Sequence, residues 1–162
     1  MKKYLAWLPA LCIAAAIFFF SAQPADVSTE VSNGVTRLLL AVAMKLNLMQ
    51  AAPERLYELC ELLSTPVRKC AHITEFSVLH VSVLFGLRQW GFSGKKWLRT
   101  AFMATVFYAC TDEFHQIFVP GRAGMIQDVM IDSIGAAIIT AALWYRFVKR
   151  NQRRRFSTLR EL

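Results

Sequence analysis

The chain has 162 residues, 56% of them hydrophobic and 19% charged, with a net charge of +8 and a mean hydropathy of +0.37. The apolar fraction lies above the roughly 45–50% of soluble domains and is gathered into runs, which excludes a disordered chain, a coiled coil and a compact soluble enzyme. What remains is an all-α, polytopic membrane protein: a four-helix transmembrane bundle with an interfacial helical segment between its first two helices.

A spanning helix needs roughly 20 mostly apolar residues. The first span is expected at about 4–22, after Lys2 and Lys3 and before Gln23-Pro24. A cleaved secretory signal is the rival for this stretch, but cleavage after Ala22 would place Phe20 where a small residue is wanted. Between this span and the next, residues 28–65 form an amphipathic extracytoplasmic segment of one or two helices on or dipping into the outer leaflet. Val31 to Leu48 carries helical periodicity, and a second helix from Glu54 to Leu63 is expected to stop at Thr65-Pro66. The second, third and fourth spans are expected at about 71–90, 97–118 and 126–147, the last ending in the interfacial pair Trp144-Tyr145. Residues 1–148 thus make one membrane domain, and 149–162 a basic cytoplasmic tail suited to lying against anionic inner-leaflet lipid.

Charge orients the spans. With the N-terminus inside, the inner segments hold Lys2, Lys3, Arg88, Lys95, Lys96, Arg99, Arg146, Lys149, Arg150, Arg153, Arg154, Arg155 and Arg160, thirteen of the 19 basic residues. Lysine and arginine accumulate in cytoplasmic loops, so both termini are expected inside the cell membrane. The basic residues flank spans rather than line a groove, which sets nucleic acid aside.

Charged side chains at membrane depth cost several kcal/mol and face partners or water-filled cavities. At 100° per residue, Arg68, His72 and Glu75 fall within about 60° of one another on the second span. Thr105, Tyr108, Asp112, His115 and Gln116 share a face of the third, from which Glu113 points aside, and Asp128, Asp132 and Gly135 form a stripe on the fourth. In the N-inside topology all three clusters lie at the extracytoplasmic ends of their helices. The turn Val119 to Gly124 adds Arg122. One outward-facing polar site is the expectation, weighed against a buried network that merely ties helices together. His80 lies off this stripe and reads as a helix-packing histidine.

No cofactor is expected. His72, Glu75, Asp112, His115 and Asp128 are residue types that can ligate a metal, but HExxH is absent and no metal is assigned. The cysteines Cys12, Cys60, Cys70 and Cys110 show neither CxxC nor zinc-finger spacing. No serine or cysteine nucleophile stands at a diagnostic spacing from a base, so catalytic residues stay unassigned and enzyme activity stays open.

Four blocks in order resemble the VanZ-like family of bacterial membrane proteins: Ser21-Ala-Gln-Pro24; Arg68-Lys-Cys-Ala-His72-Ile-Thr-Glu75-Phe76; Asp112-Glu113-Phe-His-Gln116-Ile-Phe-Val-Pro120-Gly121-Arg122; and Asp128-Val-Met-Ile-Asp132-Ser-Ile-Gly135. They run from Ser21 to about Ala142 and leave Ala25–Thr65 and the tail unmatched. Two small departures are Ala22, where the family often has serine, and Asp132, where it also has asparagine. The resemblance implies a site made of Arg68, His72, Glu75, Asp112, Glu113, Gln116, Arg122, Asp128 and Asp132. It also implies a link to low-level resistance to the glycopeptide teicoplanin, the association of the family's named member.

The function expected is to bind or modify an amphiphilic or lipid-linked ligand at the outer leaflet and to lower glycopeptide susceptibility. The alternatives are an intramembrane enzyme acting on lipid-linked substrates and a small transporter or flippase. Membrane lipids, a lipid-linked envelope precursor or the glycopeptide itself are the expected partners. Compactness leaves room for a homodimer, although no GxxxG motif marks an interface.

Overall fold

The computed structural model describes residues 2–160, with side-chain surroundings for 3–152. It is all-helical: α1 (Lys2–Leu5), α2 (Leu8–Ser21), α3 (Ala25–Lys45), α4 (Pro53–Gln89), α5 (Gly94–Gln116) and α6 (Ile126–Arg160). No strand occurs among the described residues. Pro9 and Pro53 sit in the first turns of α2 and α4, where a missing N–H costs no helical bond. α3 ends before Asn47, whose φ of 54° is the left-handed conformation asparagine tolerates.

α4 is the central element and packs against α2, α3, α5 and α6. Ala10 and Ile17 of α2, Phe76, Leu79, Val83, Leu84 and Leu87 of α4, and Leu98, Ala101 and Ala109 of α5 form one buried cluster. At the end of this cluster near Gln89, the Trp97 indole donates to the Leu84 carbonyl at 2.8 Å, and the Trp90 indole to the Lys3 carbonyl at 3.0 Å. Phe18, Phe19, Phe107, Phe114, Met130 and Ile138 remain exposed, an apolar exterior suited to lipid.

Three helical stretches are long and apolar enough to cross a membrane: Lys3–Ser21, Pro53–Gln89 and Ile126–Gln152. α5, expected as a fourth span, falls short by composition. Lys95, Lys96 and Arg99 crowd its first turns and Asp112 and Glu113 its last, leaving an uncharged stretch only from Thr100 to Thr111.

The break expected at Thr65-Pro66 is absent, and residues 53–89 form one helix with Pro66 inside it. Proline removes one backbone bond and disfavours helical backbone at the residue before it. Packing against α3 overrides that cost. Ser32, Thr36 and Leu40, spaced four apart on α3, are buried, as are Cys60 and Ser64 of α4. The Cys60 thiol lies 3.6 Å from the Asn33 carbonyl. Small side chains let the two backbones approach, while the Ser32 and Thr36 hydroxyls donate back to Ser28 and Ser32 carbonyls at 2.8 Å. All four cysteines are free.

α6 likewise runs past the expected end near Phe147, continuing as backbone helix to Arg160. The side chains of Arg153, Arg154, Arg155 and Arg160, on which the proposed lipid contact of the tail depends, lie outside the described residues.

His80 is fully buried where α4, α5 and α6 meet, its ring nitrogens each 3.0 Å from a hydroxyl, those of Thr105 and Thr140. It is a packing histidine. Gly135 of α6 lies so close to α4 that an added Cβ would run into the Ser77 hydroxyl and approach the Ile73 carbonyl. Gly34 of α3 has open space around it. Gly135→Val is therefore expected to lower the thermal stability of detergent-purified protein, by about 1–3 kcal/mol as overpacking does elsewhere. Gly34→Ala should be neutral or stabilising, because alanine is the better helix former. Equal melting temperatures for Gly135→Val and wild type would refute the close α4–α6 contact.

Candidate functional site

The end of α2, the middle of α4, the C-terminus of α5, the N-terminus of α6 and the turn 117–125 meet at one level. Short connections force this meeting. α5 and α6 are joined through Gly121, whose φ of +74° lets the chain reverse where a side chain would be strained. The Ala25 N–H donates to the Pro120 carbonyl at 3.2 Å, pinning the start of α3 to the same turn.

The floor of the site is acidic. Asp112 and Asp132 are each 3% exposed and Glu113 6%. One carboxylate oxygen from each lies within 4.8 Å of the others. Ser21 Oγ donates to Asp112 Oδ2 at 2.7 Å, and Gln116 Nε2 donates to the same oxygen at 3.1 Å and to Glu113 Oε1 at 3.3 Å. The Met125 N–H donates to Glu113 Oε2 at 2.9 Å, so the first turn of the α6 approach is held by α5. Gly124 makes this possible, since any Cβ there would collide with the Glu113 carbonyl. Several polar groups here stay unmatched: Asp112 Oδ1 and His72 Nδ1 are buried without a partner, and the Asp132 carboxyl makes no hydrogen bond to any described residue.

The rim is basic. Arg122 donates from Nε to the Gln23 carbonyl at 3.0 Å and from its guanidinium tip to Gln116 Oε1 at 3.3 Å. Burial, and then the nearby Arg68 guanidinium, push the Arg122 pKa below the usual arginine range. Lys69 pairs with Asp128 at 2.5 Å across α4 and α6. His72 Nδ1 stands 3.8 Å from Glu75 Oε2. Among the described residues neither Arg68 nor Arg122 has a carboxylate within 4 Å.

Two cavities meet at this rim. A polar one of about 300 Å³ is lined by Arg68, Lys69, His72, Glu113, Gln116, Arg122, Asp128 and Asp132, with backbone-close Ala25, Gly121 and Ala123. A groove of about 220 Å³ with a largely apolar surface is lined by Phe20, Val31, Val35, Val67 and Ala71, together with Gln23, Ser28, Ser32, Arg68, His72, Glu75 and Arg122.

Of the nine residues singled out from the sequence, seven line the polar cavity. Asp112 lies behind them, bonded to Gln116, and Glu75 faces the apolar groove. Glu113 turns inward rather than aside. A helical wheel of α5 alone misplaces it because the chain after Gln116 doubles back over that flank. Ser21 escaped functional selection, as an ordinary residue at a span end; its motif position was the only available signal. His115, grouped with Asp112 by helical phase, instead packs on Phe18 with ring centroids 4.5 Å apart. Among the described residues, the grouping of potential metal ligands is Asp112, Glu113 and Asp132, with no histidine among them.

Fold and site together define an all-helical protein with an apolar exterior and a closely knit polar site at one level of its helix bundle. Residues 6–149, nearly the whole chain, match the family described as VanZ/LLP1, and the protein belongs to that family. No curated protein and no solved structure matches the chain.

The Ser21–Asp112–Gln116 linkage predicts that Ser21→Ala destabilises the purified protein by about 1–3 kcal/mol, the cost of stripping a partner from a buried polar group. In a double-mutant cycle with Asp112→Asn the two losses should not add, because they share one contact. Additive losses in thermal unfolding would show that the contact carries no stability.

Proposed function

We propose that this VanZ-family protein is a four-span protein of the cell membrane with both termini cytoplasmic, whose site opens toward the outer leaflet and binds or modifies an amphiphilic or lipid-linked ligand. The observation that carries the reading is the union of the two cavities. A polar pocket and an apolar groove share Arg68, His72 and Arg122, so one molecule with a polar head and an apolar body fits across them.

Membrane crossing by α5 is supported by its length. Its 23 residues reach about 34 Å, enough for the roughly 30 Å hydrocarbon core, with basic residues at one end and acidic ones at the other. The distribution of lysine and arginine supports the orientation. α3 and the first turns of α4 then form a helical hairpin at the outer leaflet, its apolar flank (Val31, Val35, Leu38, Leu39 and Val42) exposed to lipid.

Topology is testable in a cysteine-free background. A cysteine replacing exposed Gln50 should react with a membrane-impermeant maleimide in intact cells, and one replacing exposed Ser93 only after permeabilisation. The reverse pattern would invert the protein and place the site inside.

The family resemblance makes glycopeptide susceptibility the phenotype to measure. Deleting the gene should raise teicoplanin susceptibility severalfold, and wild-type protein should restore the original level. Glu75→Ala and Asp112→Ala should fail to do so at equal membrane abundance. Restoration by both variants would remove the site from the phenotype, and no change on deletion would remove the antibiotic from the function.

A further inference from the structure

Chemical groups succeed one another in a definite order along the joined cavities. The apolar groove formed by Phe20, Val31, Val35 and Val67 comes first. Arg68 and Arg122 stand at the junction, lining both spaces. Glu113 and Asp132 line the polar cavity alone. Apart from Glu75, which faces the groove, the order of environments is therefore largely apolar, cationic and then acidic.

Each charged zone has an unmet need. Arg68 makes no hydrogen bond or ion pair with any described residue, and Arg122 meets only neutral oxygens. Lys69, the other rim cation, is already paired with Asp128. On the floor, Asp132 is 3% exposed with no hydrogen-bond donor, and Asp112 Oδ1 is buried without one. Five carboxyl groups nevertheless share the site with two unpaired guanidiniums, and they stay apart. A free dianion would sit well against the arginines but badly against the floor, and a lone cation the reverse. A molecule carrying an anion and then a cation satisfies both zones. Guanidinium groups suit phosphate oxygens through forked hydrogen bonds, and a buried carboxylate suits a primary ammonium.

Resting on the amphiphile reading above, we infer that the ligand is a zwitterionic aminoalkyl phospholipid, with its phosphodiester between Arg68 and Arg122, its ammonium toward Glu113 and Asp132, and one acyl chain in the groove between α2, α3 and α4. The 300 Å³ polar cavity has room for such a headgroup. The half-buried position of Arg68 keeps the junction open to a chain arriving from the lipid.

The test uses delipidated full-length protein in detergent, with binding of phosphatidylethanolamine, phosphatidylglycerol and diacylglycerol of identical acyl chains compared by native mass spectrometry. The expected order is phosphatidylethanolamine, then phosphatidylglycerol, then diacylglycerol, each step about tenfold. Arg68→Gln should reduce both phospholipids about tenfold and leave diacylglycerol unchanged. The isosteric Asp132→Asn should abolish the preference for phosphatidylethanolamine over phosphatidylglycerol. Should a variant fold poorly, the wild-type order still decides. Equal binding of the three lipids would overturn the headgroup assignment while leaving an amphiphile site, whereas failure of all three to bind would overturn the amphiphile reading with it. A wild-type preference for phosphatidylglycerol, or a preference for phosphatidylethanolamine that survives Asp132→Asn, would also overturn it. Inorganic phosphate or free phosphoethanolamine binding as tightly as the lipid would overturn the membrane as the ligand's source.

Discussion

The structure depends on satisfying a set of carboxyl groups that have been taken out of water. Asp112, Glu113 and Asp132 come within 4.8 Å of one another at one level of the bundle. Burying such groups is costly unless partners surround them. The chain supplies those partners from every element that ends nearby. Ser21 closes α2 onto α5, Gln116 braces both α5 carboxyls, and the Met125 N–H ties the approach to α6 back to α5. The positions of the helix ends follow from this network as much as from apolar packing.

The network is incomplete in a patterned way. Among the residues that line the polar cavity, Glu113, Gln116, Arg122, Lys69 and Asp128 have hydrogen-bond partners, while Arg68 and Asp132 have none among the described residues, and behind them one oxygen of Asp112 is buried unpaired. A purely structural polar network would be expected to close on itself, because a half-satisfied one is worse than an apolar core. The largely apolar groove shares Arg68, His72 and Arg122 with the polar cavity, so the two spaces are continuous in their lining.

α4 connects the α3 hairpin to this site. As one 37-residue helix it carries the α3 contact surface near Cys60, the site stripe at Arg68, His72 and Glu75, and the core at Phe76 to Leu87. The same helix thus carries both its contact with α3, which walls the groove through Val31 and Val35, and the arginine at the junction. The sequence suggested a break at Thr65-Pro66 because local backbone preference is all that a proline reveals. An interior proline costs a helix about 3 kcal/mol, and what offsets it here is the packing of two helices along small residues, a property of both segments at once.

Local composition and helical phase were sufficient for the helical class, the apolar stretches, the stripes on three helices and the packing role of His80, because each depends on neighbours within a few turns. The ordered motifs sufficed for the family. Phase also placed Asp112 and Asp132 on inward faces, since a charge with an apolar exterior around it has one direction in which to find partners. It misplaced Glu113 and His115, whose surroundings are set by the returning turn and by Phe18 of another helix. Ser21 acquires meaning only from Asp112, 91 residues away. The meeting of groove and pocket at Arg68 and Arg122 was likewise decided by tertiary structure alone, because a cavity is made by the elements that surround it and no single stretch of chain contains its shape.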